Sequence, residues 1–348
     1  MPLYSNFPNL LLKWFDHHGR HDLPWQKNRD PYLIWISEIM LQQTQVKTVI
    51  PYFERFINRF KTIDSLAQAE LDEVLSYWTG LGYYHRARHL HRAAQMMIEI
   101  HQGQFPQDID AVIALPGIGP STAGAILSFA FEQRQIILDG NVRRVLSRLL
   151  MLKEEPALWT WAEKLTPKKR VSDYNQAMMD LGATLCTRSK PDCSHCPVQK
   201  KCLAYLNDVV TDYPAPKKSK IKPVEHLYWL MLFDPAQGFL LTQRPATGIW
   251  AQLWTFPQFD DKQHVQTYLK QNQWHKAQWQ DPLQHELTHR SLFIHPILVH
   301  VKQKNNAFLA INPLTNQKQI WYNLDNPPKI GLAKPVQQLL HNGSSSTP

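Results

Sequence analysis

Residues 115–123 read Leu-Pro-Gly-Ile-Gly-Pro-Ser-Thr-Ala and place two glycines between a short apolar segment and a longer one. Residues 109–114 and 122–131 have the apolar spacing of helices. Gly117 and Gly119 let the backbone of the intervening turn approach a ligand and present free amide groups at a helix N-terminus, which suits a phosphate oxygen. An ordinary helix–helix turn stays open as an alternative, and the helix before the glycines argues against a dinucleotide-binding fingerprint.

The same helical spacing recurs along the chain up to about residue 205. It predicts helices over residues 32–41, 46–60, 70–78, 84–101, 142–150 and 174–185. Asp30 followed by Pro31 suits a helix start, and Gly80 and Gly103 suit helix ends. We therefore expect a mostly α N-terminal domain.

Residues 207–225 are rich in proline and lysine and lack periodicity, which is typical of a linker. Short β-rich runs follow, at residues 227–233, 238–244, 292–301 and 320–323. The change of pattern predicts a second, α+β domain over residues 226–342 and a disordered tail over residues 343–348.

The composition predicts a partner that is a polyanion. The 348 residues carry a formal net charge of +9, which favours nucleic acid, although a solvated basic surface is an alternative reading. Cations lie close together at Arg143, Arg144 and Arg148, at residues 168–170, and on both sides of the cysteines at Arg188, Lys190, Lys200 and Lys201. No apolar run reaches the ~18 residues of a membrane-spanning helix, so we expect a soluble protein without a membrane partner.

All four cysteines, Cys186, Cys193, Cys196 and Cys202, fall within one window of 17 residues. A disulfide scaffold would spread its cysteines, and no export segment opens the chain, so we expect a reducing compartment. Only one C-x2-C step is present, whereas zinc sites usually have two such steps. Four soft ligands in one loop favour an iron–sulfur cluster, with zinc and unliganded thiols as alternatives.

Two carboxylates are candidates for acid–base chemistry. Glu38 lies on an otherwise apolar helix, where it must either face water or occupy a pocket that raises its pKa. Asp139 lies in Ile-Leu-Asp-Gly-Asn-Val just before a predicted helix, and a plain helix cap is the commoner role at such a position.

Several long motifs together resemble the helix-hairpin-helix DNA glycosylases of the endonuclease III superfamily. They are the glycine hairpin at residues 115–119, the Leu-Asp-Gly-Asn-Val segment at 138–142 and the cysteine loop at 186–202. Within that superfamily, residues 23–25, 37–46, 78–84 and 175–182 are similar to the MutY family of adenine DNA glycosylases. The resemblance covers essentially the whole chain.

The resemblance implies a helix-hairpin-helix glycosylase domain over residues 1–206, with a [4Fe-4S] cluster on Cys186, Cys193, Cys196 and Cys202, and a Nudix-like domain over residues 226–342. It implies that Glu38 is the general acid and Asp139 the residue that stabilises positive charge on the sugar. The DNA contacts that it implies lie at Leu23, Trp25, Leu41, Gln43, Thr44, Tyr83, Gly117, Gly119, Ser121 and Asn141.

The substrate that the family implies is double-stranded DNA with adenine opposite 8-oxoguanine or guanine. Residues Leu287, Thr288 and His289 align with a loop that usually reads Phe-Ser-His and contacts 8-oxoguanine. Ser121 takes the position of the lysine that gives related enzymes their abasic-site lyase activity, so we expect a monofunctional enzyme. A bifunctional lyase and a non-catalytic iron–sulfur DNA-binding protein are the alternatives. We further expect a monomer of bacterial type in the cytoplasm.

The second domain lacks the paired carboxylates of a working Nudix hydrolase over residues 258–280, so we do not expect phosphohydrolase activity. His85 and His89 are four residues apart on a predicted helix, but Arg86, Arg88 and Arg92 surround them. This pattern favours a cationic, DNA-facing helix over a zinc pair.

Overall fold

A computed structural model of the chain describes residue 4 and residues 6–215, 221–301 and 317–344. The chain forms two compact units, one of Met1–Gln68 with His89–Lys218 and the other of Ala69–Arg88 with Ser219–Pro348. The sequence predicts a single boundary at residues 207–225. The contacts instead group Ala69–Arg88 with the C-terminal part of the chain.

Helices make up most of the first 215 residues, and every helix predicted from spacing is present with its ends within three residues of the prediction. The helices are α1 Phe7–His18, α2 Pro31–Leu41, α3 Val46–Arg59, α4 Ile63–Ala67, α5 Leu71–Trp78, α6 His85–His101, α7 Ile109–Ile113, α8 Pro120–Phe131, α9 Gly140–Leu150, α10 Glu155–Leu165, α11 Val171–Thr184 and α12 Leu203–Leu206.

Local chemistry explains where the functional helices begin. Asp30 accepts a hydrogen bond from the Tyr32 amide (2.8 Å) with Pro31 at the first helical position of α2, as the sequence predicts. Helices α1, α9 and α11 enclose a core in which Phe7, Leu146 and Leu181 are fully buried. This packing holds α9 and α11 against each other, and α2 packs against α8.

The second unit is built on a sheet whose described strands are β1 Val224–Asp234, β2 Gly238–Gln243, β3 Trp254–Thr255, β4 Gln258–Phe259, β5 Gln278–Trp279, β6 Leu283–Glu286, β7 Ser291–His300 and β8 Gln319–Tyr322. The central pair β1 and β7 is parallel, and the other ladders are antiparallel. Helix α13, Lys262–Gln271, covers one sheet face, where Leu230, Val265 and Ile297 are fully buried. A mixed sheet with a packed helix is the α+β architecture that the sequence predicts.

Helix α5 packs within this second unit. The Trp254 indole donates to Asp72 Oδ1 (3.0 Å), and the Tyr84 hydroxyl donates to the carbonyl of Leu332 (2.9 Å). Gly331 lies so close to Leu75 that an added Cβ would fall 2.5 Å from the leucine Cβ. These contacts explain why Ala69–Arg88 separates from the helices on either side of it in sequence.

The last helix, α14, covers Lys334–Ser344 and extends two residues into the segment for which the sequence predicts disorder. Residues 345–348 lie outside the described residues. Within the described ranges, no helix combines the length and the apolar character that a bilayer crossing requires.

Candidate functional site

A cleft of about 1130 Å³ in the first unit gathers most of the predicted site residues. Its lining includes both candidate carboxylates, Glu38 and Asp139. The other predicted residues that line it are Leu23, Trp25, Leu41, Gln43, Thr44, Gly119, Ser121 and Asn141. Residues that are far apart in sequence therefore share one cavity, as expected for an active site rather than for scattered core positions.

Glu38 lies on α2 between Ser37 and Ile39, which are both buried. Burial, and to a smaller extent the negative charge of Asp139, together raise the pKa of its carboxyl to about 8. The Glu38 carboxyl is therefore protonated at neutral pH and available as a proton donor.

Asp139 caps α9, as the alternative reading of the sequence proposes. One carboxylate oxygen accepts from the amides of Asn141 (3.0 Å) and Val142 (2.8 Å), and the other accepts from the Asn141 side chain (3.1 Å). Burial raises the pKa of Asp139, while these hydrogen bonds and the charge of Arg144 act in the opposite direction. The cap fixes the carboxylate at the wall of the cleft, so capping and a charge-stabilising role are compatible.

A side pocket of about 210 Å³ opens next to Glu38. Trp25, Glu38 and Gln176 line both this pocket and the cleft. The Trp25 ring is 5% exposed and packs edge-on against Phe53 at 5.3 Å. Gln176 belongs to the motif at residues 175–182, but the sequence does not identify it as a site residue, because its position in the pocket depends on how α11 packs against α8 and α9.

The turn after α2 carries Gln42 and Gln43, which both line the cleft. The Gln42 side chain donates to the Gly117 carbonyl and to Thr122 Oγ1, both at 3.3 Å, which ties this turn to the glycine hairpin. Gln43 has φ of 60°, a left-handed conformation that is uncommon for a residue with a side chain, and it is exposed. Backbone strain of this kind is concentrated at functional sites.

The hairpin between α7 and α8 needs its first glycine for two reasons. Gly117 has φ of 82°, and an added Cβ would lie 2.9 Å from the Cβ of His89. Gly119 precedes α8 with open space around it, so its backbone is accessible. Ser121 Oγ accepts from the Leu138 amide (2.9 Å) and so supports the segment that leads to Asp139.

The four cysteines are half-buried in a loop stabilised by two arginines. Burial raises the pKa of Cys196 to about 12, and the charges of the other three cysteines act in the same direction, which places the four thiols near one another. Arg148 donates to Cys186 Sγ (3.3 Å) and to the Thr187 carbonyl (2.7 Å). Arg144 donates to the Cys186 carbonyl (2.7 Å) and to Asn141 Oδ1 (2.9 Å), linking the loop to the start of α9.

Among the clustered cations from which the sequence predicts a polyanionic partner, Arg148 is 2% exposed and donates its hydrogen bonds within the protein, so it does not contribute to a basic surface. The sequence also predicts that the arginines of α6 face DNA, and the contacts of Arg86 and Arg88 within the protein argue against this for both residues. Arg86 is 3% exposed and lies over the Trp78 ring, while Arg88 donates to the Ala251 carbonyl (2.8 Å). Sequence charge alone does not separate a structural arginine from a surface arginine.

In the second unit, the predicted lesion-contacting residues lie together. Tyr83 has φ of 48° and is 37% exposed, and its hydroxyl lies 3.4 Å from Thr288 Oγ1. Thr288 and His289 are exposed in the turn between β6 and β7, and the Leu287 amide donates to the Arg290 carbonyl (2.9 Å). The structure therefore brings Tyr83, a predicted DNA contact, next to the loop that the resemblance assigns to 8-oxoguanine.

Two family models match the chain. Residues 36–166 match the HhH-GPD superfamily of base excision DNA repair proteins, and residues 228–342 match the NUDIX domain. The first match includes the cleft carboxylates, and the second includes the sheet and the turn at residues 287–289.

Several curated relatives are named adenine DNA glycosylase. That of Buchnera aphidicola (subsp. Baizongia pistaciae) is 41% identical over 96% of this chain and 95% of its own length, and the human protein is 36% identical over 80% of this chain and 62% of its own. Among solved structures, a thermostable thymine-DNA glycosylase has a TM-score of 0.56 at 29% identity, covering 59% of this chain and 98% of its own. An endonuclease III–DNA complex, with a TM-score of 0.52 at 24% identity over 58% of this chain and 94% of its own, shares the fold.

Proposed function

Since the chain belongs to the adenine DNA glycosylase family, whose members are glycosidases that act on N-glycosyl bonds, we propose that it removes adenine paired with 8-oxoguanine or guanine in duplex DNA. One observation carries the proposal most directly. A glutamate whose pKa is raised to about 8 lines a pocket beside a cleft that also contains a second carboxylate.

The geometry supports different roles for the two carboxylates. Adenine must leave the base stack to be reached, and the side pocket next to Glu38 can receive a flipped base. Glu38 donates its proton to N7, the bond between C1′ and N9 breaks, and the bonding electrons leave with adenine. The Asp139 carboxylate, which the helix cap fixes at the wall of the cleft, stabilises the positive charge that develops on the sugar. Water then attacks C1′, and its proton passes to the Glu38 carboxylate.

The expected product is an abasic site without strand cleavage. A lyase needs an amine nucleophile close to the sugar, and the side chain at the matching position is Ser121. Its hydroxyl is engaged with the Leu138 amide, so Ser121 supports the loop instead of attacking the substrate.

We propose that Cys186, Cys193, Cys196 and Cys202 hold a [4Fe-4S] cluster. The four cysteines are half-buried, and charges of neighbouring cysteines act on the thiols of Cys193, Cys196 and Cys202, which indicates that the four thiols lie near one another. Their sequence contains only one C-x2-C step. Such a donor set fits a cluster better than one zinc ion. The bound cluster would supply a rigid anchor for the loop that Arg144 joins to Asn141.

The lesion preference is proposed for the second unit. Tyr83, Thr288 and His289 offer an aromatic ring, a hydroxyl and an imidazole in adjacent segments, which suits stacking and hydrogen bonding to the base opposite adenine. Leu287 stands where the family usually has phenylalanine, so stacking at that position is weaker. We propose a monomer as the active form.

The test is a glycosylase assay on duplexes with adenine opposite 8-oxoguanine, guanine, cytosine or thymine, scored with and without alkali. We expect cleavage only after alkali, with faster reaction opposite 8-oxoguanine and guanine. Strand cleavage without alkali would instead support the bifunctional lyase, and no alkali-sensitive product on any duplex would support a non-catalytic DNA-binding protein.

A further inference from the structure

The turn between β6 and β7, which carries residues 287–289, does not have the backbone geometry that such a short connection favours. The Leu287 amide donates to the Arg290 carbonyl (2.9 Å), so only Thr288 and His289 connect the two strands. Connections of two residues favour turns with a positive φ, and neither of these two residues has one. The position of the turn therefore depends on contacts from outside it.

One such contact holds the end of the turn next to β6. Lys222 Nζ donates to the Leu287 carbonyl (2.8 Å) and to Glu286 Oε2 (3.2 Å). The other oxygen of Glu286 accepts from Ser291 Oγ (2.7 Å), on the facing strand, and from Gln284 Nε2 (3.0 Å). The Lys222 ammonium group is therefore joined to the turn and, through Glu286, to both of its strands.

A second contact holds the end of the turn next to β7. Arg290 Nη1 lies 2.5 Å from Glu225 Oε1, and the two side chains are only 30% and 38% exposed, so water and salt screen this ion pair less than a fully exposed one. Arg290 and Glu225 also line a cavity of about 250 Å³, together with Arg244 and Trp250. This end of the turn borders a cavity instead of a packed core, so the ion pair is needed to fix Arg290.

Both contacts come from one short segment, residues 222–225, at the start of β1. The backbone of the same segment joins the turn as well, because the Ser291 amide donates to the Pro223 carbonyl (3.0 Å). The turn that is held in this way brings Thr288 Oγ1 to 3.4 Å from the Tyr83 hydroxyl. The segment therefore determines where the side chains of the turn lie.

We propose that Lys222 and the Glu225–Arg290 ion pair are positioning residues for lesion preference, which hold the two ends of the turn so that Thr288 and His289 meet the base opposite adenine. The inference rests on the proposed function, in which this turn contacts 8-oxoguanine. Groups that discriminate between ligands must be held to within about 0.5 Å by their neighbours. A turn released at one end distinguishes 8-oxoguanine from guanine less well.

The experiment measures single-turnover excision of adenine opposite 8-oxoguanine and opposite guanine, with saturating enzyme. Both duplexes carry the same phosphate charges, so the ratio of the two rates is insensitive to general losses of DNA affinity. Arg290→Met and Lys222→Met each remove a cation with little change in side-chain length, whereas Glu225→Met removes the acceptor of the ion pair and no cation. Lys270→Met, at an exposed lysine on α13, is the matched control.

We expect the ratio of the 8-oxoguanine rate to the guanine rate to fall at least about fivefold in Arg290→Met and Glu225→Met, at least about twofold in the more exposed Lys222→Met, and not in the control. Glu225→Met separates positioning from direct contact with DNA, because it makes the protein more cationic. An unchanged ratio in Glu225→Met overturns the proposal, even if Arg290→Met lowers the ratio, and so does an equal fall of both rates.

Melting temperatures are measured in parallel. If Glu225→Met does not fold, Glu225→Gln gives the same test, because it removes the charge of the ion pair and keeps the shape of the side chain.

Failure of the inference is distinguishable from failure of the proposed function. Wild type that prefers 8-oxoguanine, with a preference that falls in Thr288→Ala but not in Glu225→Met, refutes only the positioning role. Wild type that excises adenine equally fast opposite both bases refutes the proposed lesion preference, and wild type that leaves adenine in place refutes the function itself.

Discussion

Replacing Glu38 by glutamine should stabilise the protein at neutral pH while it removes the proposed acid. The folded state raises the pKa of Glu38 from an ordinary value of 4.5 to about 8. A carboxyl whose pKa is raised by folding contributes stability that is fully present below its unfolded pKa and is lost as pH rises through its folded pKa. The free energy of unfolding of wild type should therefore decline from about pH 4.5 to about pH 8.

The magnitude follows from the width of that window. Between pH 4.5 and pH 7, a span of about 2.5 pH units, the unfolded chain releases the Glu38 proton and the folded chain keeps it. At 1.36 kcal/mol per pH unit, the free energy of unfolding falls by about 3 kcal/mol over this span. At pH 5 the same reasoning gives less than about 1 kcal/mol. Glutamine is neutral at both pH values, so Glu38→Gln avoids this loss.

Thermal unfolding followed by circular dichroism at pH 5, 7 and 8.5 measures the effect. We expect the melting temperature of Glu38→Gln to exceed that of wild type by about 6 °C or more at pH 7, and by much less at pH 5. Glu54→Gln, at an exposed glutamate on α3, is the matched control and should show no pH-dependent difference. An equal shift of Glu38→Gln at both pH values, or a lower melting temperature at pH 7, would refute the argument from burial.

Four further outcomes follow from the site. The single-turnover rate of wild type should fall about tenfold per pH unit above the Glu38 pKa of about 8, and a flat profile to pH 10 would exclude Glu38 as the acid. Asp139→Asn loses the negative charge, so excision should slow at least 100-fold. Because asparagine keeps the helix cap, the unfolding free energy should change by less than about 1 kcal/mol. Near-normal excision would contradict the charge-stabilising role. Borohydride should trap no efficient covalent adduct of wild type with DNA, because Ser121 supplies no amine; efficient trapping would point to a lyase. Thr288→Ala and His289→Ala should each reduce the preference for 8-oxoguanine over guanine severalfold in paired-rate measurements, and an unchanged preference in both would reject the loop assignment.

The features that sequence predicts well are those fixed by local chemistry. The Asp30–Pro31 pair marks the start of α2 because a side-chain cap and a preset φ act within one turn. Glu38 is identifiable because a charge among apolar neighbours on a helix must either reach water or occupy a pocket. The switch from helical spacing to alternating β runs locates the second architecture.

The features that sequence misses depend on packing between distant segments. Arg148 and Arg86 look like surface cations in sequence, yet tertiary contacts bury both, because guanidinium groups can satisfy several carbonyls or lie over a ring. The left-handed conformations of Gln43 and Tyr83 have no local signal. The placing of Gln176 in the lining of both the cleft and the side pocket depends on tertiary packing of α11.

Single-turnover release of adenine opposite 8-oxoguanine by wild type and Glu38→Gln, at pH 7 and with saturating enzyme, tests the central claim most directly. Binding of the same duplex is measured alongside, so that loss of chemistry is separated from loss of affinity. If Glu38 donates the proton that releases adenine, Glu38→Gln binds the duplex with wild-type affinity and releases adenine at least 100-fold more slowly. Adenine release by Glu38→Gln within a few-fold of the wild-type rate would contradict the assignment of Glu38 as the acid.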